Sequence, residues 1–151
     1  MNPSDPVPET ADRRAALSRE ITARTGLDAP VLERLLRTFY AAAKNDPLLG
    51  PAFAGVEDWE EHIRRITRFW GSVALMAGGY QGQPLQAHRK LPIGPQHFAR
   101  WLVLFEQTCR EHLSPEGVDH MMERARRIAR SLEMGLFPLP LPAQSQKGVA
   151  A

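Results

Sequence analysis

Few side chains in this chain of 151 residues can bind a metal or carry nucleophilic chemistry: five histidines and a single cysteine come first. His62, His88, His97, His112 and His120 contain no pair spaced i, i+4, so no helix face offers two imidazoles to a zinc ion. Cys109 has no second thiol with which to form a disulfide, a redox pair or a metal clamp. Its type suits a small buried apolar residue in a reducing compartment. The spacings HExxH and GxSxG, the P-loop and the dinucleotide fingerprint are all absent. Hydrolase, zinc-enzyme and nucleotide-enzyme chemistry thereby lose their usual carriers.

One histidine has an unusual setting. In the run Tyr80-Gln81-Gly82-Gln83-Pro84-Leu85-Gln86-Ala87-His88-Arg89-Lys90-Leu91-Pro92, Pro84 can start a helix and Pro92 must stop one. At most two turns then hold Leu85, His88 and Leu91 on one side. So short a helix has little backbone stability of its own, and what it packs against must hold it; a bound cofactor is one candidate. A haem asks for a flat apolar slot, one neutral imidazole for the iron, and polar donors on the opposite side. His88 meets the second need. His62, beside the apolar stripe of a long helix, either satisfies a core hydrogen bond or takes part in such a pocket.

The elements that would position these residues read as helices throughout. Apolar residues recur at spacings of three and four, and no segment alternates as a strand would. The predicted class is all-α. A charged, Ala-rich helix over residues 11–25 ends at Gly26. Asp28 caps the next, Pro30 suits its first turn, and Val31, Leu32, Leu35, Leu36, Phe39 and Tyr40 form its inward face. Turn formers from Asn45 to Pro51 break the chain and lead to Phe53 in a connection. Asp58 opens a long helix expected to end near Gly78-Gly79, with Trp59, His62, Ile66, Phe69, Trp70 and Val73 on one broad face. Pro95 begins a helix with Phe98, Trp101, Leu102, Leu104, Phe105 and Cys109 inward. Ser114-Pro115-Glu116 announces the last, which Gly135 is expected to end.

Size and charge narrow the rest. The length and the 43% hydrophobic content suit one domain with one core. The division expected is an N-terminal, partly helical extension over 1–27, a main domain over 28–136 and a flexible Pro-rich tail over 137–151. A net charge of +2 does not build a phosphate-binding surface, so no nucleic-acid partner is expected. Arg124, Arg126, Arg127 and Arg130 then read as a solvated helix face. No apolar run approaches the ~18 residues of a membrane span, and no targeting segment opens the chain. The expectation is a cytoplasmic protein without a membrane partner.

Taken in order, Phe39-Tyr40, Asp46-x-Leu48-Leu49-Gly50-Pro51-x-Phe53, Trp59-x-x-His62, Phe69-Trp70-Gly71, Tyr80-x-Gly82-Gln83-Pro84-Leu85-x-x-His88 and His97-Phe98-x-x-Trp101-Leu102-x-Leu104-Phe105 resemble the third subgroup (group III) of the truncated haemoglobins. These motifs span roughly residues 31–134. The Gly-Gly pair typical of other subgroups before the distal helix is missing.

The resemblance implies a truncated globin fold, two helix pairs crossing in a two-over-two sandwich around a haem b. It puts His88 on the iron as proximal ligand, Tyr40, His62 and Trp101 on the distal side, Phe53 at the haem edge and Ile66 as an apolar distal wall. Arg65, Arg89 and Lys90 are candidate partners for the haem propionates, with solvated surface charge as the alternative. The implied ligands are dioxygen, nitric oxide and carbon monoxide. Donors aimed at a bound ligand favour redox chemistry such as nitric oxide detoxification or a peroxidase-like activity, with electrons from an unidentified reductase. A non-catalytic oxygen carrier or a haem-based gas sensor is the alternative.

Overall fold

The computed structural model describes residues 8–78 and 82–137, and among these every regular element is a helix. Tyr80 and the Pro-rich stretch after Phe137 lie outside the described residues, as do Pro3 and Pro6. Six α-helices follow in order: α1 (Pro8–Thr25), α2 (Ala29–Lys44), α3 (Trp59–Ala74), α4 (Pro84–Arg89), α5 (Pro95–His112) and α6 (Pro115–Leu136). A single 3-10 turn, Gly50–Phe53, sits between α2 and α3. No helix among the described residues is long and apolar enough to cross a membrane.

Three helix starts have local chemical causes. The side chains of Asp28, Asp58 and Ser114 accept from the backbone N–H groups of Val31, Glu61 and Gly117 at 3.0, 3.1 and 3.1 Å. Each satisfies one donor that the first turn would otherwise leave unpaired. At α5 the donor is instead the backbone N–H of Gly94, which His97 Nδ1 accepts at 2.9 Å. Gly26, with φ of +76°, turns the chain out of α1 in the left-handed conformation that favours glycine.

Two pairs, α2 with α3 and α5 with α6, pack together, and α2 crosses α5 between them. The main core fills this crossing: Leu32, Leu35, Leu36, Phe39, Ile63, Trp70, Phe105, Cys109 and Met121 are almost fully buried. Ile21 and Leu27 join it from α1 and the following turn, and α1 itself packs on α6. A smaller apolar cluster, Phe98, Ala129 and Leu132, extends beneath α4. Asp46 anchors the α2 exit. Its carboxylate accepts from the N–H groups of Leu48 and Leu49 at 3.1 and 3.0 Å and from Arg100 of α5 at 2.7 Å.

Two helix ends differ from the sequence expectation. The stop expected at Gly78-Gly79 comes at Ala74, and Met76 already has φ of +59°. The reason is tertiary: Arg124 Nε and His120 Nε2 of α6 take the carbonyls of Val73 and Ala74 at 3.2 and 2.8 Å. These helix-end acceptors are met by side chains rather than by another turn. Gly135, expected to end α6, lies inside it, and the helix runs on to Leu136.

Candidate functional site

The inward face of α2 places Tyr40 against two other elements. Its ring meets Phe53 from the 3-10 turn at 6.0 Å between centroids and His62 from α3 at 6.1 Å, both edge-on. His62 also lies 6.0 Å from Phe53 and 5.4 Å from Trp59. Trp101 of α5 enters from the far side, 5.1 Å from Phe39 and stacked on Phe105 at 4.7 Å. Ile66, one turn beyond His62, is half-buried against the same core. Residues from three helices and a turn thus meet in one aromatic-walled region, as the sequence spacing suggests.

The polar atoms in that region are unusual. The Tyr40 hydroxyl is buried, with the indoles of Trp101 and Trp70 as its polar neighbours. Burial outweighs the influence of those indoles and pushes the phenol up to about 12, so Tyr40 keeps its proton. His62 Nε2 is buried and has no hydrogen-bond partner. Burial, followed by the nearby charge of Arg65, lowers the pKa of His62, so its ring is neutral. A buried ring nitrogen without a partner is costly in a finished core and ordinary in a pocket awaiting a ligand.

On the other side, α4 carries His88. Pro84 stands at its first turn, and its carbonyl accepts the Nδ1–H of His88 at 2.6 Å. That bond fixes the tautomer: Nδ1 holds the proton and Nε2 keeps its lone pair, the arrangement a metal-binding imidazole requires. Among the described residues nothing hydrogen-bonds His88 Nε2. Phe98 lies 6.5 Å from the imidazole between ring centroids. The backbone of α4 lies along α6, and Phe98 of α5 meets its side chains, so α3 and α4 carry the two histidines without packing on each other. The unpartnered His62 Nε2, the tautomer of His88 and the aromatic walls fit a haem held between them.

Arg65 is exposed and reaches Glu61 only at 3.9 Å. Arg89 and Lys90 are exposed at the end of α4. Of the arginines on α6, Arg126 and Arg127 pair with Glu106 and Glu123 at the surface, whereas Arg124 is turned inward to the end of α3. Trp70 is the polar group that sequence reasoning left in the core. Its place two turns beyond His62 and one beyond Ile66, at 62, 66 and 70, is the signal that could have found it.

No protein-family model matches the chain. It is 35% identical over 112 residues to the curated group 3 truncated hemoglobin ctb of Campylobacter jejuni, covering 70% of this chain and 88% of that protein. The chain belongs to the group III truncated haemoglobins. The crystal structure of the group III truncated hemoglobin from Campylobacter jejuni superposes with a TM-score of 0.68 at 31% identity, covering 74% of this chain and 93% of that one. The helix pairs of this truncated haemoglobin are thus the family's own; Tyr40, His62 and Trp101 stand on them, and His88 on the short α4.

Proposed function

We propose that this truncated haemoglobin binds haem b through His88 and retains dioxygen or nitric oxide in its distal pocket for redox chemistry, such as conversion of nitric oxide to nitrate. The observation that carries the reading is the division of labour between two histidines. His88 has Nδ1 tied to Pro84 and, among the described residues, Nε2 without a hydrogen bond, while His62 of α3 holds a buried, unpartnered Nε2 among Tyr40, Phe53 and Trp59. Haem, when bound, supplies an iron that takes diatomic ligands and exchanges electrons with them. The chain's only cysteine is buried in the core, which supports a haem held without a thioether, hence haem b.

The chain's own groups do the rest. Tyr40, protonated and flanked by two indoles, has a proton to donate toward a partly negative ligand atom. The donors stand in an apolar enclosure where each is stronger than in water. Phe53 and Ile66 keep that enclosure dry at its edge, and His62 adds a further donor or a gate to solvent. Arg65, Arg89 and Lys90 provide the exposed cations for the propionates. A ligand held in this way leaves slowly, which suits reaction better than delivery. No flavin or nicotinamide motif is present in the chain, so a separate reductase supplies the electrons.

The test is to purify the protein with haem and record ferric, ferrous and carbon monoxide spectra, then repeat them for His88→Gly with and without imidazole. A histidine-ligated spectrum that the variant loses and imidazole restores is the expected result. Native protein that takes up no haem, or a variant with native spectra, overturns the assignment.

A further inference from the structure

α4 is a helix of six residues whose backbone lies along α6. Its contact side is Leu85, one turn before His88, which packs into the cluster of Phe98, Ala129 and Leu132. At the point where Leu85 meets α6 stands Gly135. A β-carbon there would lie 2.7 Å from Leu85 Cδ1 and 3.0 Å from Cδ2. Ordinary carbon contact is about 3.5–4.0 Å, so any side chain at 135 collides with the methyl groups of Leu85 on the helix that carries His88. Gly135 is the last residue but one of α6, so the seat lies in the helix's final turn. Beside His88 an open cavity of about 280 Å³ is walled by Ile93, Gly135, Leu136 and Phe137. Phe137 meets Phe98 edge-on at 6.3 Å, closing the same corner.

We propose that Gly135 is a positioning residue for His88: the bare backbone of α6 is the seat of Leu85, and its depth sets where α4 holds the imidazole. The inference rests on the reading of His88 as the iron ligand. Filling the seat either lifts α4 as a body or turns the end of Leu85 aside. Only the first outcome agrees with a positioning role, because only then does His88 move.

The two outcomes separate in the full-length, haem-loaded protein by resonance Raman spectroscopy of the ferrous, ligand-free form. The iron–histidine stretching band is first identified by its loss in His88→Gly. A native protein without that band, recorded also immediately after photolysis of its carbon monoxide adduct so that no sixth ligand masks it, refutes the ligand reading itself. With the band present, Gly135→Ala is expected to shift and broaden it, and the double variant Leu85→Ala/Gly135→Ala is expected to return it to the native frequency. A native band in Gly135→Ala overturns the positioning role and leaves the ligand reading standing. If Gly135→Ala takes up no haem, the double variant decides: a native band sustains the proposal, and a displaced band or no haem uptake overturns it.

Discussion

Replacing Tyr40 by Phe removes a single oxygen, and its surroundings set both the sign and the size of the effect. That oxygen lies beside the indoles of Trp101 and Trp70, and burial holds its proton in place well above neutral pH. The buried phenol thus has a proton to donate, and a ligand on the distal side is the natural recipient. Losing one such bond costs about 1–1.5 kcal/mol, which is roughly a five- to twelvefold faster release. The indole N–H groups left behind can turn partly toward the ligand, so the lower end of that range is expected. Stopped-flow measurement of dioxygen release from the haem-loaded protein reads this directly. An unchanged or slower release in Tyr40→Phe would refute the idea that Tyr40 donates to the ligand.

Further outcomes follow from other contacts. His120 is buried with its Nε2 on the Ala74 carbonyl, and burial lowers its pKa. The unfolded chain takes up a proton near pH 6.5 that the folded chain refuses, so stability is complete above that pH and falls as the pH drops below it toward the lowered folded value. His62, lowered for the same first reason, acts in the same direction. Urea titrations of His120→Gln, which keeps an amide donor, should show a shallower loss between pH 6.5 and 5 by at most about 1.4 kcal/mol per pH unit; an unaltered slope counts against His120 as a source. Asp46→Ala removes the acceptor for two backbone N–H groups and for Arg100, and a loss of about 1–2 kcal/mol is expected by chemical denaturation. A change below about 0.5 kcal/mol would show the cap to be dispensable. Burial pushes the Cys109 thiol up to about 12, so an aromatic disulfide reagent at pH 8 should label it only at the rate of unfolding. Immediate labelling would contradict its place in the core.

Helix starts were legible because their causes are local. Asp28, Asp58 and Ser114 each act within three residues of themselves. Ends were not, because other helices decide them. α3 stops where His120 and Arg124 reach its carbonyls, and no pattern within residues 58–79 contains those partners. Gly135 reads as a stop signal in one dimension, yet in space it is a contact for Leu85. The aromatic and histidine positions of the distal region were visible as one helical face each and as a resemblance. The approach of Trp70 to Tyr40 crosses between helices, so spacing alone does not show it.

The brevity of α4 also has a thermodynamic side. Six residues close too few backbone hydrogen bonds to offset the ordering of their own chain, so the helix exists only while its neighbour holds it. Such a segment belongs to the low-stability end of the molecule, opening and closing many times for each global unfolding event. Anything that grips His88 in the closed form draws that local equilibrium toward order, and part of its intrinsic affinity is consumed in doing so. The observed affinity of the proximal side is thus a composite of bond strength and helix formation. Amide exchange across residues 84–89 would report the second contribution separately from the first.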